Sequence, residues 1–232
     1  MIDIVYALGK GSRMKDIELR FSLRAIGKHL SGYGKVFLIG ECPEWAQGVT
    51  HLPFPDDARL SPDHNIMRKI SHACASSDVS NDFLFFNDDH FLLSPFQVEH
   101  FPAFYQGDLA TYCRLRGLDG YGKRAKSTLD YLKSMDLPIK YFDVHTPILY
   151  NKSLFMQHVA AAPGWGGEGY IIKSLYANRL QLAGEPFRDQ KINAPPGPDV
   201  KIFSTFPHIK ASVTRFLSET FPEQSQFERT DI

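Results

Sequence analysis

The chain has 232 residues, of which 43% are hydrophobic and 22% are charged, and its formal net charge is zero. Such values are typical of a globular domain and exclude an overall electrostatic attraction to nucleic acid or to a membrane surface. The three cysteines, at positions 42, 74 and 113, form no disulfide framework or zinc motif, and no apolar run approaches the roughly 20 residues that span a bilayer. We therefore predict a cytoplasmic protein with a single domain at 1–232.

Strand-like and helical patterns alternate in the first half of the chain. The patterns predict strands at 2–8, 35–39, 49–54 and 83–86, and helices at 16–30 and 63–76. This alternation predicts an α/β fold, with a mixed, mostly parallel sheet flanked by helices. In such folds ligands bind beyond the carboxyl ends of the strands.

The second half is less regular. We predict a strand at 108–113, a basic loop at 114–126, a helix at 127–135 and a long strand at 140–150. Beyond it we expect helices at 151–161, 170–180 and 208–221, a glycine-rich loop at 164–169 and an irregular segment at 184–207. We predict that 1–95 binds a nucleotide and that 96–232 faces a second substrate, the acceptor.

The most informative segment is DFLFFNDDHFLL, residues 82–93. A strand pattern ends abruptly at Asn87, and Asp88, Asp89 and His90 follow at once. Two adjacent carboxylates repel each other, and a divalent metal that holds an anionic substrate would neutralise them. Oxygen and imidazole ligands suit Mg²⁺ or Mn²⁺. The alternative is an ordinary polar turn between two strands.

Asp143 and His145 lie two residues apart in the predicted strand at 140–150, so their side chains should share a face. If the end of that strand abuts Asn87–His90, then Asp88, Asp89, His90 and His145 form one cluster. A hydrogen-bonded core histidine is the alternative interpretation of His145.

Several cations could serve a phosphate-bearing substrate. They are Lys10 in the first turn, Arg20 and Arg24 on the first helix, and Arg68 and Lys69 beside Asn65 on the second helix. A solvated helical face explains them equally well. Residues 114–126 add a basic stretch that could grip an anionic acceptor, DNA included, and its cations are Arg114, Arg116, Lys123, Arg124 and Lys126.

Five segments occur in an order that resembles a known family. They are IDIVYALGKGS, IELRFSLRAIGKHL, KVFLIGECPEW, FLFFNDDHFLL and FDVHTPILYNKSLF. The set resembles the Stealth-type sugar-phosphate transferases of capsule synthesis and their short relatives, glycosyltransferases of the GT-A fold in bacteria and phages. The resemblance covers about 2–45, 63–94 and 140–180.

The resemblance implies a nucleotide-diphosphate-sugar donor and a divalent metal. Asp89 would bind the metal, and Asp88 would contact the ribose or a metal-bound water. His145 would contact the diphosphate or bind the metal, and His90 is the doubtful third ligand of the metal. Asp3, Tyr6, Gly9, Gly11 and Ser12 would lie against the nucleoside, and Arg20 and Lys173 would support the phosphates.

An inverting transfer also needs a base near the acceptor hydroxyl. Glu168, Asp143 and Asp189 are the candidates. The sequence therefore predicts a metal-dependent glycosyltransferase that acts on a glycan or a phage DNA base. The alternatives are a sugar-1-phosphate transferase and a non-catalytic module that binds nucleotide sugar or nucleic acid.

Overall fold

The computed structural model describes residues 1–10, 16–117 and 119–229. In chain order the strands are β1 (Ile2–Leu8), β2 (Leu30–Ser31), β3 (Tyr33–Gly40), β4 (Thr50–Leu52), β5 (Asp82–Phe86), β6 (His90–Leu92), β7 (Phe96–Gln97), β8 (Phe104–Tyr105), β9 (Ile148–Asn151), β10 (Glu185–Pro186) and β11 (Ile202–Ser204). The α-helices are α1 (Ile17–His29), α2 (Pro62–Ala75), α3 (Leu109–Arg116), α4 (Gly120–Ser134), α5 (Lys152–Phe155), α6 (Ile172–Arg179) and α7 (Ala211–Thr220).

A five-stranded sheet in the order β4-β3-β1-β5-β9 organises the molecule. The first four strands are parallel, and β9 is antiparallel to β5. This confirms the predicted α/β class with a mixed, mostly parallel sheet, and the arrangement is Rossmann-like. The first-half strands and helices lie where the sequence predicts them, within a few residues at each end.

Alternation along the central strands divides the core into two layers. Ile4 and Tyr6 of β1 point into the layer that packs against α1 and α7, whereas Val5 points into the layer covered by α2, α4 and α6. Both faces of the sheet are therefore apolar, which is why these strands read as continuous hydrophobic runs. In the described ranges, none of the helices combines the length and apolarity needed to cross a bilayer.

Two predictions for 108–126 are wrong. The predicted strand at 108–113 is helix α3, and the predicted basic loop is the end of α3 followed by the start of α4. Asp108 and Asp119 cap these helices, since their carboxylates accept hydrogen bonds from Thr111 N (2.8 Å) and Gly122 N (2.7 Å). Aspartate and glycine are common in loops, so the sequence suggested a loop, but here these residues lie at the first turns of helices.

The strand predicted at 140–150 is confined to β9. Residues 144–146 form a bend in which Thr146 N donates to Val144 O at 2.8 Å, and Pro147 cannot donate to a ladder. The inference that Asp143 and His145 share a strand face is therefore wrong.

The irregular segment at 184–207 contains β11, which forms a separate two-stranded sheet with β6. This strand pairs antiparallel with β6, with Ser204 opposite His90. Strand β9 likewise comes from the second half and extends the sheet next to β5. The segments 1–95 and 96–232 thus interleave, and the second half contributes strands beside the Asn87–Asp89 turn.

Candidate functional site

A cleft runs along the carboxyl edge of the parallel strands. It consists of three adjoining cavities of about 390, 420 and 720 Å³, here called the first, second and third cavities. Asp88 lines both the first and the second, and Lys191, Phe206 and Pro207 line both the second and the third. The Asn87–Asp89 turn lies at the middle of the cleft, where β5 has ended and β6 begins.

The two carboxylates of this turn are in different electrostatic states. Burial, then the charges of Asp89, Glu18 and Asp16, raise the pKa of Asp88 to about 7. Asp89 has a counter-charge, because Lys191 Nζ lies 3.8 Å from its Oδ2. The anionic form of Asp88 is therefore unfavourable in this turn, and a cationic group of a ligand or an ion would stabilise it.

His90 is fixed beneath the turn and is only 1% exposed. Its Nδ1 accepts from Asn87 N at 3.2 Å, which places the ring proton on Nε2, and among the described residues Nε2 has no hydrogen-bond partner. Burial, then the positive charges of Lys173, His145 and Lys191, lower the pKa of His90 well below 6.5. His90 is thus a neutral donor with no lone pair left for a metal.

His145 is held by a carboxylate. Its Nδ1 lies 2.7 Å from Asp189 Oδ2, and its backbone N donates to Asp189 Oδ1 at 3.0 Å. Burial alone would raise the pKa of Asp189, but the hydrogen bonds and charge of His145 lower it. A carboxylate on Nδ1 leaves Nε2 as the basic nitrogen, the arrangement used both by general bases and by metal-binding histidines.

Lys173 and Asp143 build the support of His145. Lys173 Nζ donates to the carbonyls of Val144 and Thr146, which flank His145. Asp143 accepts from Lys173 N at 3.2 Å and Ser174 N at 2.8 Å, so its carboxylate caps α6. Lys173 is therefore a positioning residue with its charge beside the cleft, and the carboxylate of Asp143 is already occupied.

Three residues that sequence reasoning missed complete this centre. Lys191 pairs with Asp89, and the buried hydroxyls of Ser204 and Thr205 have no partner among the described residues, like His90 Nε2. Ser204 is the register partner of His90, and Thr205 lines the second cavity. The proline-rich, irregular pattern of 184–207 concealed them, and only the pairing of β11 with β6 brings them to the cleft.

Besides Asp88, the first cavity receives three of the predicted nucleotide-binding residues, Gly9, Asn65 and Lys69. A Cβ at Gly9 would lie 2.6 Å from Asp56 Oδ2, so a larger residue there would require the Asp56 carboxylate to shift. Lys69 Nζ donates to Leu8 O and Asp56 Oδ1, each at 2.5 Å, and Asn65 bonds to the backbone N and O of Asp57. These residues shape the cavity wall and hold the 56–57 loop against α2.

Other predicted residues lie away from the cleft. Asp3 is at the amino end of β1, where it accepts from Lys35 N and Ser80 N at 2.8 Å each. Tyr6 is fully buried and bonded to Ser22 Oγ at 2.9 Å. Arg20 lies 3.5 Å from Glu228 Oε2 and 4.5 Å from the Trp45 ring. These three side chains connect parts of the fold.

Glu168 also lines none of the three cavities. It forms an exposed ion pair of 3.9 Å with Lys123 of α4. Of the three predicted bases, Asp189 alone lines the cleft, through the third cavity. The predicted Gly11 and Ser12 lie outside the described residues.

The predicted basic surface is largely neutralised. Four of its five cations pair with carboxylates of described residues, namely Arg116 with Asp119, Lys123 with Glu168, Arg124 with Asp63 and Lys126 with Asp130. The Arg124–Asp63 pair, at 2.5 Å, is mostly buried. Arg114 bonds weakly to Thr111 Oγ1 at 3.5 Å.

The predicted ligand set of Asp89, His90 and His145 does not fit a metal ion. His90 presents an N–H to the interior, and within the described ranges no group of three or more His, Cys, Asp or Glu side chains could hold an ion. Asp88 and Asp89 remain, and two carboxylates completed by substrate phosphates suit Mg²⁺ or Mn²⁺.

No protein-family model matches this chain, and no curated protein matches it in sequence. The resemblance to the Stealth-type transferases therefore stays a hypothesis that rests on the ordered motifs alone.

Proposed function

We propose that this protein transfers a sugar from a nucleotide-diphosphate-sugar donor to an acceptor hydroxyl. The observation that carries the proposal is the His145–Asp189 pair at the same cleft as Asp88, Asp89 and Lys191. A base for the acceptor and charged groups for the donor are the two requirements of such a reaction.

The donor lies along the first and second cavities in this proposal. The nucleoside occupies the first cavity, beside Gly9 and Asn65, and its diphosphate reaches the second cavity, beside Lys191 and Thr205. This order follows the rule that nucleotides bind beyond the carboxyl ends of parallel strands. The unpartnered Thr205 hydroxyl offers a donor to a phosphate oxygen.

Departure of the nucleotide develops negative charge on the leaving phosphate. Lys191, which lines the second cavity, supplies a positive charge there, and Lys173 is held by the carbonyls of Val144 and Thr146 that flank His145. Fixed positive groups in a partly dry site stabilise such charge without reorganisation.

His145 is the proposed base. Asp189 holds the proton on Nδ1, so Nε2 accepts the proton of the acceptor hydroxyl as that oxygen attacks. Asp189 then stabilises the imidazolium ion, and Gln106 fixes Asp189 by accepting its backbone N–H at 2.6 Å.

Asp88 and Asp89 would hold Mn²⁺ or Mg²⁺ together with the donor phosphates. When bound, the ion supplies further positive charge to the leaving group. We also place the protein in the cytoplasm, since Cys42, Cys74 and Cys113 are free thiols, as a reducing compartment maintains.

A thermal-shift screen of nucleotide sugars, with Mn²⁺ or with EDTA, tests the donor site. A donor that binds the folded state raises the melting temperature. The stabilisation should fall in Lys191→Met and persist in Lys35→Met, an exposed lysine at the opposite edge of the sheet. Absence of stabilisation by any nucleotide sugar would contradict the proposal.

Sugar-1-phosphate transfer is the second candidate on the same cleft. It is favoured by the closeness of His145 to Lys191, which lines the same cavity, and to Lys173, which bonds to the carbonyls that flank His145. A base beside phosphate-binding cations suits an attack at phosphorus. Release of a nucleoside monophosphate indicates this reaction, whereas release of a diphosphate indicates glycosyl transfer.

A further inference from the structure

The third cavity, of about 720 Å³, is the largest part of the cleft, and the donor does not use it in the proposed function. Its lining includes His145 and Asp189 but none of Gly9, Asn65 and Lys69. A ligand in this cavity therefore meets the proposed base from the side opposite to the nucleoside. Its volume lies within the range of roughly 300–1,000 Å³ typical of small-molecule sites.

Aromatic rings form one wall of the third cavity. Tyr112 of α3 and Tyr141 stack with ring centroids 4.2 Å apart and planes at 11°, and Tyr121 of α4 meets Tyr112 edge-on at 6.2 Å. Each of the three rings carries a phenol hydroxyl, so the wall combines apolar ring surface with hydrogen-bonding groups.

Two apolar side chains are exposed at the same cavity. Leu115 is 78% exposed and Phe206 is 47% exposed, and both line it. Lys191 Nζ lies 5.8 Å from the centre of the Phe206 ring, which links this ring to the Asp89 carboxylate through one side chain. Exposed apolar groups grouped around a cavity mark a binding surface more often than scattered ones do.

Polar side chains also line the cavity, and several of them already have partners. Asp108 is used as a helix cap, and Gln106 accepts from Asp189 N through Oε1, so its Nε2 amide remains a donor. Arg116 also lines the cavity, where it pairs with Asp119 at 3.4 Å. The cavity therefore offers a broad apolar face and scattered hydrogen-bonding groups.

We propose that the third cavity binds a pyranose ring of an acceptor glycan, with its C–H face against Phe206 and the tyrosine wall. A pyranose has an apolar face and a rim of hydroxyls, which matches rings edged by Gln106 and tyrosine hydroxyls. This assignment as acceptor subsite rests on the proposed function, but carbohydrate binding by the cavity does not.

The surroundings disfavour a DNA acceptor. Binding to a phosphate backbone requires free cations. Of the five cations predicted for DNA, Arg116 alone lines this cavity, and Asp119 neutralises it.

Saturation-transfer NMR with the methyl pyranosides of glucose, galactose and N-acetylglucosamine tests the inference. We expect at least one glycoside to receive saturation, most strongly at its ring C–H protons. Phe206→Ala and Tyr112→Leu should each weaken binding about fivefold or more, since each removes an aromatic contact. Met156→Ala, which removes an exposed side chain outside all three cavities, should leave binding unchanged.

Circular dichroism melting confirms that each variant is folded before it is compared. Saturation of none of the glycosides, or wild-type signals in both Phe206→Ala and Tyr112→Leu, would overturn the inference. The donor screen separates this outcome from failure of the proposed function. If a glycoside binds but no nucleotide sugar stabilises the protein, the inference stands and the proposed transferase function is refuted. If a nucleotide sugar stabilises the protein but no glycoside binds, only the inference is refuted.

Discussion

At the scale of single residues, burial of the Asp88 carboxyl in the cleft lowers the stability of the protein at neutral pH. Burial and the neighbouring carboxylates raise its pKa to about 7, so the folded state holds this proton more tightly than the unfolded chain does. Its contribution to the free energy of unfolding is therefore greatest below about pH 4 and falls as the pH rises towards 7. Each unit of pKa difference corresponds to about 1.4 kcal/mol.

Asp88→Asn should reduce the loss of stability between pH 5 and pH 8 by about 1 kcal/mol or more, because asparagine does not ionise. Urea unfolding in the presence of EDTA measures this change without a bound cation. Asp78→Asn, at an exposed position, is the matched control and should follow the wild type. If the free energy of unfolding of Asp88→Asn fell with pH as steeply as that of the wild type, the pKa of Asp88 would not be raised in the folded protein.

The limits of sequence reasoning are also clearest at single residues. The strand that ends at Asn87 predicted the place of Asp88 and Asp89, and the structure brings both to the cleft. Lys191 could not be predicted, because its approach to Asp89 depends on a chain return about 100 residues later in the sequence. Asp3 and Arg20 carry the right chemistry for a ligand, yet their partners, Ser80 and Glu228, are also far away in sequence.

At the scale of elements, helix α6 connects stability with the site. Asp143 caps its first turn through Lys173 N and Ser174 N, and Lys173 in turn holds the bend that carries His145. The cap therefore fixes both the helix and the proposed base.

Asp143→Ala should lower the free energy of unfolding by about 1–2 kcal/mol, the usual effect of removing a helix cap. Asp143→Asn should lose less, because an amide oxygen still accepts from one backbone N–H. Chemical denaturation of the two variants checks this order. Equal stability of Asp143→Ala and the wild type would show that the carboxylate does not cap α6.

The predictions of helices and strands were correct where apolar residues recurred regularly over a long segment. They failed where the element was short and a capping residue was its main sequence signal. Helix α1 repeats Leu19, Leu23 and Ile26 on one buried face, and its pattern predicted it. Helix α3 is short and has a single fully buried residue, Leu109, so its sequence carried little periodic signal. Its cap, Asp108, was the better signal.

At the scale of the molecule, strands from the second half of the chain pair with strands from the first half in two sheets. Strand β9 covers the edge of β5, and β11 covers β6. The alternation of strands and helices was enough to predict the α/β class and the cleft at the carboxyl edge. It did not predict that 96–232 contributes strands beside the Asn87–Asp89 turn, because these pairings join residues far apart in sequence.

The fragment 1–95 should therefore not fold alone. Without β9 and the helices of the second half, Phe83 and Phe85 would lose the apolar side chains that cover them. Circular dichroism should show no cooperative thermal transition for the fragment, whereas the full chain should unfold cooperatively. A cooperative transition in the fragment would show that the first half is an independent domain.

Turnover with an identified donor and a glycoside acceptor tests the proposed transferase most directly. Wild-type protein should release nucleoside diphosphate, and His145→Ala and Asp189→Asn should each lower kcat by about 100-fold or more without loss of donor stabilisation. Lys35→Met should retain wild-type turnover. Release of no nucleotide from any nucleotide sugar, or full activity in His145→Ala and Asp189→Asn, would contradict the account.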